Sequence, residues 1–186
     1  MNHSVNYASA NEWFITTARK GGCKVSIISA RVDNRLLHGI VATQWAPFIG
    51  AARVMVIDDH IANDPTLKSG MKMGKPAGCA LSIINEETAY ANFKAGKYND
   101  HTVFVIVQDP VILLKLISDG QKIGKVIVGG TVDPPAGVES VQVSKRAYVT
   151  KPQEEIYRAI AAAGTPVSVQ YLLNDKEQPI SDFIKL

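Results

Sequence analysis

The sequence has few cysteines and lacks long apolar runs. Its two cysteines, Cys23 and Cys79, show no C-x-x-C spacing and have no histidine beside them, so neither a zinc site nor a disulfide scaffold is indicated. No window approaches eighteen consecutive apolar residues, which argues against a membrane-spanning helix. These absences favour a soluble protein of a reducing cytoplasm.

The sequence patterns that indicate nucleotide or nucleic-acid binding are also missing. Neither G-x-x-x-x-G-K-[ST] nor G-x-G-x-x-G occurs, which argues against a nucleotide-dependent kinase. The net charge of +3 is mild, and no long Lys/Arg run is present to follow a phosphate backbone. We therefore expect no nucleic-acid partner, no metal and no cofactor.

Length and patterning predict the fold class. A chain of 186 residues with 46% hydrophobic and 20% charged residues is ordinary for one globular domain with a full core. Alternating strand and helix patterns predict a three-layer α/β/α domain, with a mainly parallel sheet of six to seven strands and helices on both faces. The predicted strands are residues 24–30, 51–57, 79–84, 101–107, 125–128, 141–149 and 166–172.

The chain divides into an N-terminal extension of unknown role, residues 1–22, and a single domain, residues 23–186. Trp13, Phe14 and Ile15 lie in the extension, but no uninterrupted apolar segment with a basic start and a small-residue cleavage site surrounds them. The extension is therefore not expected to be a signal peptide.

The polar side chains best suited to a functional site lie in residues 26–45, SIISARVDNRLLHGIVATQW. A short apolar strand is followed by a turn that carries Arg31, Asp33, Arg35 and His38, and then by an apolar helical face. In an open α/β sheet, the carboxyl ends of the strands border the crevice where ligands bind. The sequence therefore predicts a functional site in this turn.

These residue types suit a phosphohistidine. A neutral imidazole such as that of His38 is nucleophilic near pH 7, and the guanidinium groups of Arg31 and Arg35 can neutralise a phosphoryl group. Asp33 can hold one ring nitrogen protonated and leave the other free to attack. The alternative is a solvated ion-pair turn of Arg31, Asp33 and Arg35, in which His38 is a partly buried residue at the helix start. In both interpretations the two arginines are expected to be exposed.

Residues 31–45, RVDNRLLHGIVATQW, resemble the active-site signature of a known family. This is the enzyme IIB component of the mannose/fructose/sorbose class of the bacterial phosphoenolpyruvate-dependent sugar phosphotransferase system. In that family the histidine of an R-[IV]-D-x-R-L-[IL]-H-G-x-V run carries the phosphoryl group. The resemblance runs from about Lys24 to the C-terminus and includes residues 56–65, 68–78 and 127–130.

The resemblance implies a cytoplasmic phosphotransferase of sugar transport, peripherally associated with the inner face of the plasma membrane. His38 would accept a phosphoryl group from the histidine of a IIA protein or domain and pass it to a sugar bound by the membrane components IIC and IID. No cofactor is implied. The sugar, the phosphorylated ring nitrogen and the oligomeric state stay open. Residues that would stabilise or orient the phosphoryl group are Arg31, Asp33, Arg35 and Gly39.

Gly129 and Gly130 follow the predicted strand 125–128 and have two interpretations. They permit a tight turn with positive φ before Asp133, or they bring bare backbone N–H groups close to a phosphoryl group. His60 follows the second predicted strand, on the same sheet edge as His38, and a structural or rim role is favoured for it.

Two other functions compete with a phosphoryl carrier. One is a non-catalytic α/β module whose arginine-rich loop binds an anionic metabolite. The other is a histidine phosphatase, which is disfavoured because Leu37 stands where that chemistry usually has arginine before His-Gly. Lys68, Lys72 and Lys75 share one side of a predicted helix, which is a solvated face or a docking patch.

Overall fold

The computed structural model of the chain describes residues 26–186. The predicted N-terminal extension, residues 1–22, lies outside the described residues, as do Cys23 and the start of the first predicted strand.

Residues 26–186 contain nine strands. In chain order they are β1 (Ile27–Asp33), β2 (Arg53–Ile57), β3 (Ala80–Ile84), β4 (Val103–Val107), β5 (Val126–Gly130), β6 (Ser140–Ser144), β7 (Ala147–Thr150), β8 (Val167–Val169) and β9 (Gln178–Pro179). Seven of them form one sheet in the order β3-β2-β4-β1-β5-β8-β9. Each neighbouring pair from β3 to β8 is parallel, and β9 joins β8 antiparallel. The predicted, mainly parallel sheet is confirmed.

Helices cover both faces of this sheet. The helical segments are a π-helical turn (Val41–Trp45), α1 (Ala46–Ile49), α2 (Asp59–Asn63), α3 (Pro65–Met73), α4 (Glu86–Lys94), α5 (Val111–Ser118), α6 (Lys151–Ala162) and a 3₁₀ turn (Ile180–Asp182). One buried cluster packs α4, α5 and α6 against the sheet. A second packs the π-helical turn and α1 to α3 against the other face. This is the three-layer arrangement that the sequence predicts.

The strand β4 lies at the centre of the sheet, between β2 and β1. All five of its side chains, from Val103 to Val107, are fully buried. Four of the five are β-branched, which suits an extended strand covered on both faces. The continuous apolar, β-branched run in residues 101–107 predicts a strand at the centre of the sheet, and the strand order confirms it.

The first strand continues further than the prediction for residues 24–30. β1 extends to Asp33, and Arg31 pairs in register with Ile106 and Ile127 of the neighbouring strands. The assignment of Arg31 and Asp33 to a turn is therefore wrong. Both belong to a buried strand, and each neutralises the other's charge, which makes burial tolerable.

The single strand predicted at residues 141–149 is also wrong. These residues form an antiparallel hairpin of β6 and β7, separate from the main sheet. The backbone N–H of Arg146 donates to Ser144 Oγ across the turn (3.1 Å). This side-chain hydrogen bond favours a turn over an extended strand.

Candidate functional site

The loop after β1 folds back over the end of its own strand. Leu36 has a φ of 54°, and its N–H donates to the carbonyl oxygen of Asp33 (3.0 Å). Such a φ costs a non-glycine residue roughly 1–2 kcal/mol, but the Leu36 side chain is buried in the second core, which offsets the strain. The carbonyl of His38 then accepts from Ala42 N–H (2.8 Å) and fixes His38 at the start of the helical segment.

This geometry places His38 against Asp33. Nε2 of His38 lies 3.3 Å from Asp33 Oδ2 and 3.4 Å from Arg35 Nη2. The carboxylate requires a proton on Nε2, whereas the guanidinium requires a lone pair there. Arg35 Nη2 already donates to the Tyr171 hydroxyl at 2.6 Å, so we assign the Nε2 proton to the bond with Asp33. No hydrogen bond to Nδ1 is found within residues 26–186, and the His38 side chain is 14% exposed.

Asp33 is held as a carboxylate. Burial acts to raise its pKa, but the hydrogen bond from His38, the charges of Arg31 and His38 and the Arg35 backbone N–H together place that pKa below the ordinary value. Because the folded-state pKa is lowered, ionised Asp33 stabilises the fold above its ordinary pKa. This stabilisation is lost as the pH falls through the lowered value.

Arg31 is fully buried, although the sequence predicts an exposed arginine. Its Nε donates to Asp33 Oδ2 (3.0 Å), Nη1 to the carbonyl of Gln170 (3.1 Å) and Nη2 to the carbonyl of Tyr171 (3.1 Å). Its guanidinium also lies 4.7 Å from the ring centroid of Trp45. Burial lowers the pKa of Arg31, and Asp33 opposes that effect. In this position Arg31 orients Asp33 and does not face an approaching group.

The two glycines that end β5 form no turn. Gly129 and Gly130 lie inside the strand, and neither has a positive φ, so that interpretation is wrong. A Cβ on Gly129 would overlap the guanidinium of Arg31, so only glycine leaves room for this buried group. Gly130 is paired with Asp33 across the sheet, and its carbonyl accepts from Asn34 N–H (2.9 Å).

The other candidate residues lie apart from this cluster. Gly39 is exposed, and a Cβ built on it would meet no atom within 4 Å. His60 lies in α2, a helix that was not predicted from the sequence. This helix begins where Asp58 Oδ1 accepts a hydrogen bond from Ile61 N–H (2.8 Å). The structure shows no contact between His60 and His38.

A family model described as the PTS system sorbose subfamily IIB component matches residues 27–186 of the chain. The chain belongs to this family. The sorbose-specific IIB component of Klebsiella pneumoniae is 26% identical to it over 160 residues, which are 86% of this chain and 96% of that protein. The N-acetylgalactosamine-specific phosphotransferase enzyme IIB component 1 of Escherichia coli K12 is 29% identical over 159 residues, covering 84% and 98% of the two chains.

A solved structure supports the same assignment. The crystal structure of the IIBSor domain of the sorbose permease from Klebsiella pneumoniae matches with a TM-score of 0.74 at 25% identity, over 84% of this chain and 93% of that one. The predicted family, the fold and the assignment to the sugar phosphotransferases are confirmed. The two relatives are named for different sugars, so family membership leaves the sugar of this IIB component open.

Sequence reasoning missed one residue of this IIB component's site. Tyr171 follows β8, and its hydroxyl accepts from Arg35 while its carbonyl accepts from Arg31 Nη2 and from Trp45 Nε1 (3.0 Å). The only signal in the sequence was the place of Tyr171 near the carboxyl end of a strand, because β8 ends at the same sheet edge as β1 and lies beside β5. The prediction missed Tyr171 because it placed this residue inside a strand that ran to residue 172.

The described part of the IIB component has neither a cluster of metal-binding side chains nor a membrane-spanning helix. Residues 26–186 contain no group of three or more His, Cys, Asp or Glu side chains that could hold a metal ion. Within the same range, no helix has the length and apolar character needed to cross a membrane.

Replacing Gly129 with alanine should displace the Arg31 guanidinium. We expect the free energy of unfolding to fall by about 1–3 kcal/mol, as for other overpacked cores, and phosphoryl transfer to slow because Asp33 loses its partner. Urea denaturation checks the stability. Gly70→Ala in α3 is the matched control, because a Cβ there meets nothing within 4 Å; equal stability of the two variants would contradict this packing role.

Proposed function

We propose that His38 is the residue of this IIB component that carries the phosphoryl group. It accepts the group from a phosphohistidine of a IIA protein or domain and passes it to a sugar bound by IIC and IID at the inner face of the membrane. The observation that carries the proposal is the partly exposed imidazole whose Nε2 is engaged by a buried carboxylate. That hydrogen bond leaves Nδ1 as the nucleophile.

In the first step, the Nδ1 lone pair of His38 forms a bond to phosphorus while the N–P bond of the donor histidine breaks. The donor nitrogen keeps that electron pair. Phosphorylation places positive charge on the His38 ring, and the Asp33 carboxylate at Nε2 stabilises it. In the second step, a sugar hydroxyl oxygen attacks the phosphorus, the Nδ1–P bond breaks and the hydroxyl proton is lost to solvent.

Arg35 is the cation that we propose for the phosphoryl oxygens. Its side chain is exposed, and its Nη2 lies 3.4 Å from the His38 ring. Little more is required of the protein, because phosphoryl transfer depends mainly on alignment and charge neutralisation. The exposed backbone of Gly39 is a second proposed contact, whereas the position of Gly129 against Arg31 favours an orienting role.

Incubation with phosphorylated IIA and peptide mapping by mass spectrometry test the proposal. We expect one phosphoryl group, on His38, that is labile in acid and stable in base, as a phosphoramidate is. Phosphorylation of His60 in its place would overturn the assignment. The competing anion-binding module would acquire no phosphoryl group at all, and membership of a phosphotransferase family argues against it.

Tyr171→Phe tests how Arg35 is held. Removing the hydroxyl takes away the 2.6 Å acceptor of Arg35, and we expect transfer to slow by up to about tenfold. Stability should stay within about 1 kcal/mol, since the bond is exposed. Tyr98→Phe, which removes a hydroxyl bonded to Asn92, is the control and should keep the wild-type rate. If Tyr171 acts through Arg35, the double variant Tyr171→Phe/Arg35→Ala should transfer the phosphoryl group no more slowly than Arg35→Ala alone.

A further inference from the structure

A polar cavity of about 490 Å³ lies between the loop after β1 and the β6–β7 hairpin. Its size falls within the range of roughly 300–1,000 Å³ that small-molecule sites occupy. It adjoins the proposed phosphorylation site, because Arg35 lines it and also contacts the His38 ring. Other residues of the lining are Asp133, Lys145, Arg146, Tyr148 and Tyr171.

The cavity has an excess of positive charge. Arg35, Lys145 and Arg146 contribute three cations, and Asp133 contributes one carboxylate. None of the three cations forms an ion pair with another residue in the range 26–186. Such a lining favours an anionic ligand, and guanidinium groups bind phosphate oxygens with paired donors.

The rest of the lining suits a carbohydrate. Two tyrosine rings offer an amphipathic surface, and the Asp133 carboxylate accepts hydrogen bonds from hydroxyl groups. Tyr171 also fixes the cations, since its hydroxyl accepts from Arg35 and its ring lies 5.9 Å from the guanidinium of Arg146. The hairpin is held in place by Thr131, whose Oγ1 accepts from Tyr148 N–H (2.7 Å) and donates to the Tyr148 carbonyl (3.2 Å).

We propose that this cavity binds a monosaccharide phosphate, the product of transfer from His38. The phosphate lies among Arg35, Lys145 and Arg146, and the sugar ring contacts the tyrosines and Asp133. Arg35 faces both the His38 ring and the cavity, so the same guanidinium can contact the phosphoryl group on His38 and the phosphate of the product. This inference rests on the proposed function, because it names a site for the sugar phosphate that forms when His38 transfers its phosphoryl group to the sugar held by IIC and IID.

Amide chemical shifts of the ¹⁵N-labelled full chain test the site. The probes are hexose 1-phosphates and 6-phosphates, the unphosphorylated hexoses and inorganic phosphate. We expect at least one hexose phosphate to shift the amides that line the cavity, with a Kd at least about tenfold lower than those of inorganic phosphate and the free hexose, since both halves make contacts. Equal binding of inorganic phosphate, shifts outside the cavity or an absence of binding would each overturn the proposal.

The double variant Lys145→Ala/Arg146→Ala removes two of the cations at an exposed hairpin turn. It should weaken hexose phosphate binding by at least about tenfold. Lys122→Ala is the matched control, because Lys122 is exposed and precedes β5 at the opposite edge of the sheet; the control should bind as the wild type does. Equal affinities of the double variant and the control would contradict the site.

Failure of the cavity proposal can be distinguished from failure of the proposed function. Phosphorylation of His38 by IIA is measured on the same wild-type protein. If His38 is phosphorylated and no hexose phosphate enters the cavity, only the cavity proposal is wrong. If His38 stays unmodified, the proposed function is wrong whatever the cavity binds.

Discussion

Replacing Arg31 with alanine should lower the free energy of unfolding by about 3–5 kcal/mol, the loss that follows removal of one partner from a buried ion pair. Arg31 is fully buried and donates to one carboxylate and two backbone carbonyls. Its removal leaves Asp33 as an uncompensated buried charge. It also leaves the carbonyls of Gln170 and Tyr171 without this donor and empties the space beside Trp45.

Chemical denaturation measures this loss, and Arg35→Ala is the matched control. Arg35 lies in the loop directly after β1 and is exposed, so its removal should change stability by no more than about 1 kcal/mol. If Arg31→Ala were as mild as Arg35→Ala, Arg31 would not fix the end of β1. The sequence-based expectation of two exposed arginines predicts that equality, so the experiment separates the two descriptions.

His38→Ala should abolish phosphorylation by IIA and transfer to sugar. The nucleophilic nitrogen is gone, and no neighbouring group in the described structure replaces it. Stability should change by about 1 kcal/mol or less, because the side chain is partly exposed at a loop end. Loss of activity without loss of fold then identifies a chemical role.

His60→Ala is the control for that variant. His60 is an exposed histidine of α2 that contacts neither Asp33 nor Arg35 in the structure. It should be phosphorylated at the wild-type rate. Residual phosphoryl transfer in His38→Ala, together with a loss of transfer in His60→Ala, would assign the phosphoryl group to His60 and contradict the proposal.

The parts of the fold that were predictable depend on local patterns. The β4 strand is a continuous run of large apolar residues, and its burial on both faces follows from that run. The start of α6 was predictable because Thr150 is followed three residues later by Gln153, a spacing that favours a capping box, and the two residues form one. The β6–β7 hairpin was not, because Val141, Val143 and Val149 keep a strand-like alternation across the turn that separates them.

In the candidate site, too, contacts between residues close in sequence were predictable and contacts between distant residues were not. Asp33 and His38 are five residues apart, so their contact follows from one short loop. The burial of Arg31 depends on carbonyls 139 and 140 residues further along the chain, and the hydroxyl of Tyr171 lies 136 residues from Arg35. Local composition favours an exposed arginine, and only the sheet order that brings β8 to the edge beside β5 supplies its partners.

The nitrogen that carries the phosphoryl group tests the central claim most directly. Long-range ¹H–¹⁵N correlation spectra of the ¹⁵N-histidine-labelled phosphoprotein distinguish the two ring positions of His38. We predict phosphorylation at Nδ1, with Nε2 protonated and hydrogen-bonded to Asp33. A phosphoryl group on Nε2 of His38, or on any other residue, would contradict the account.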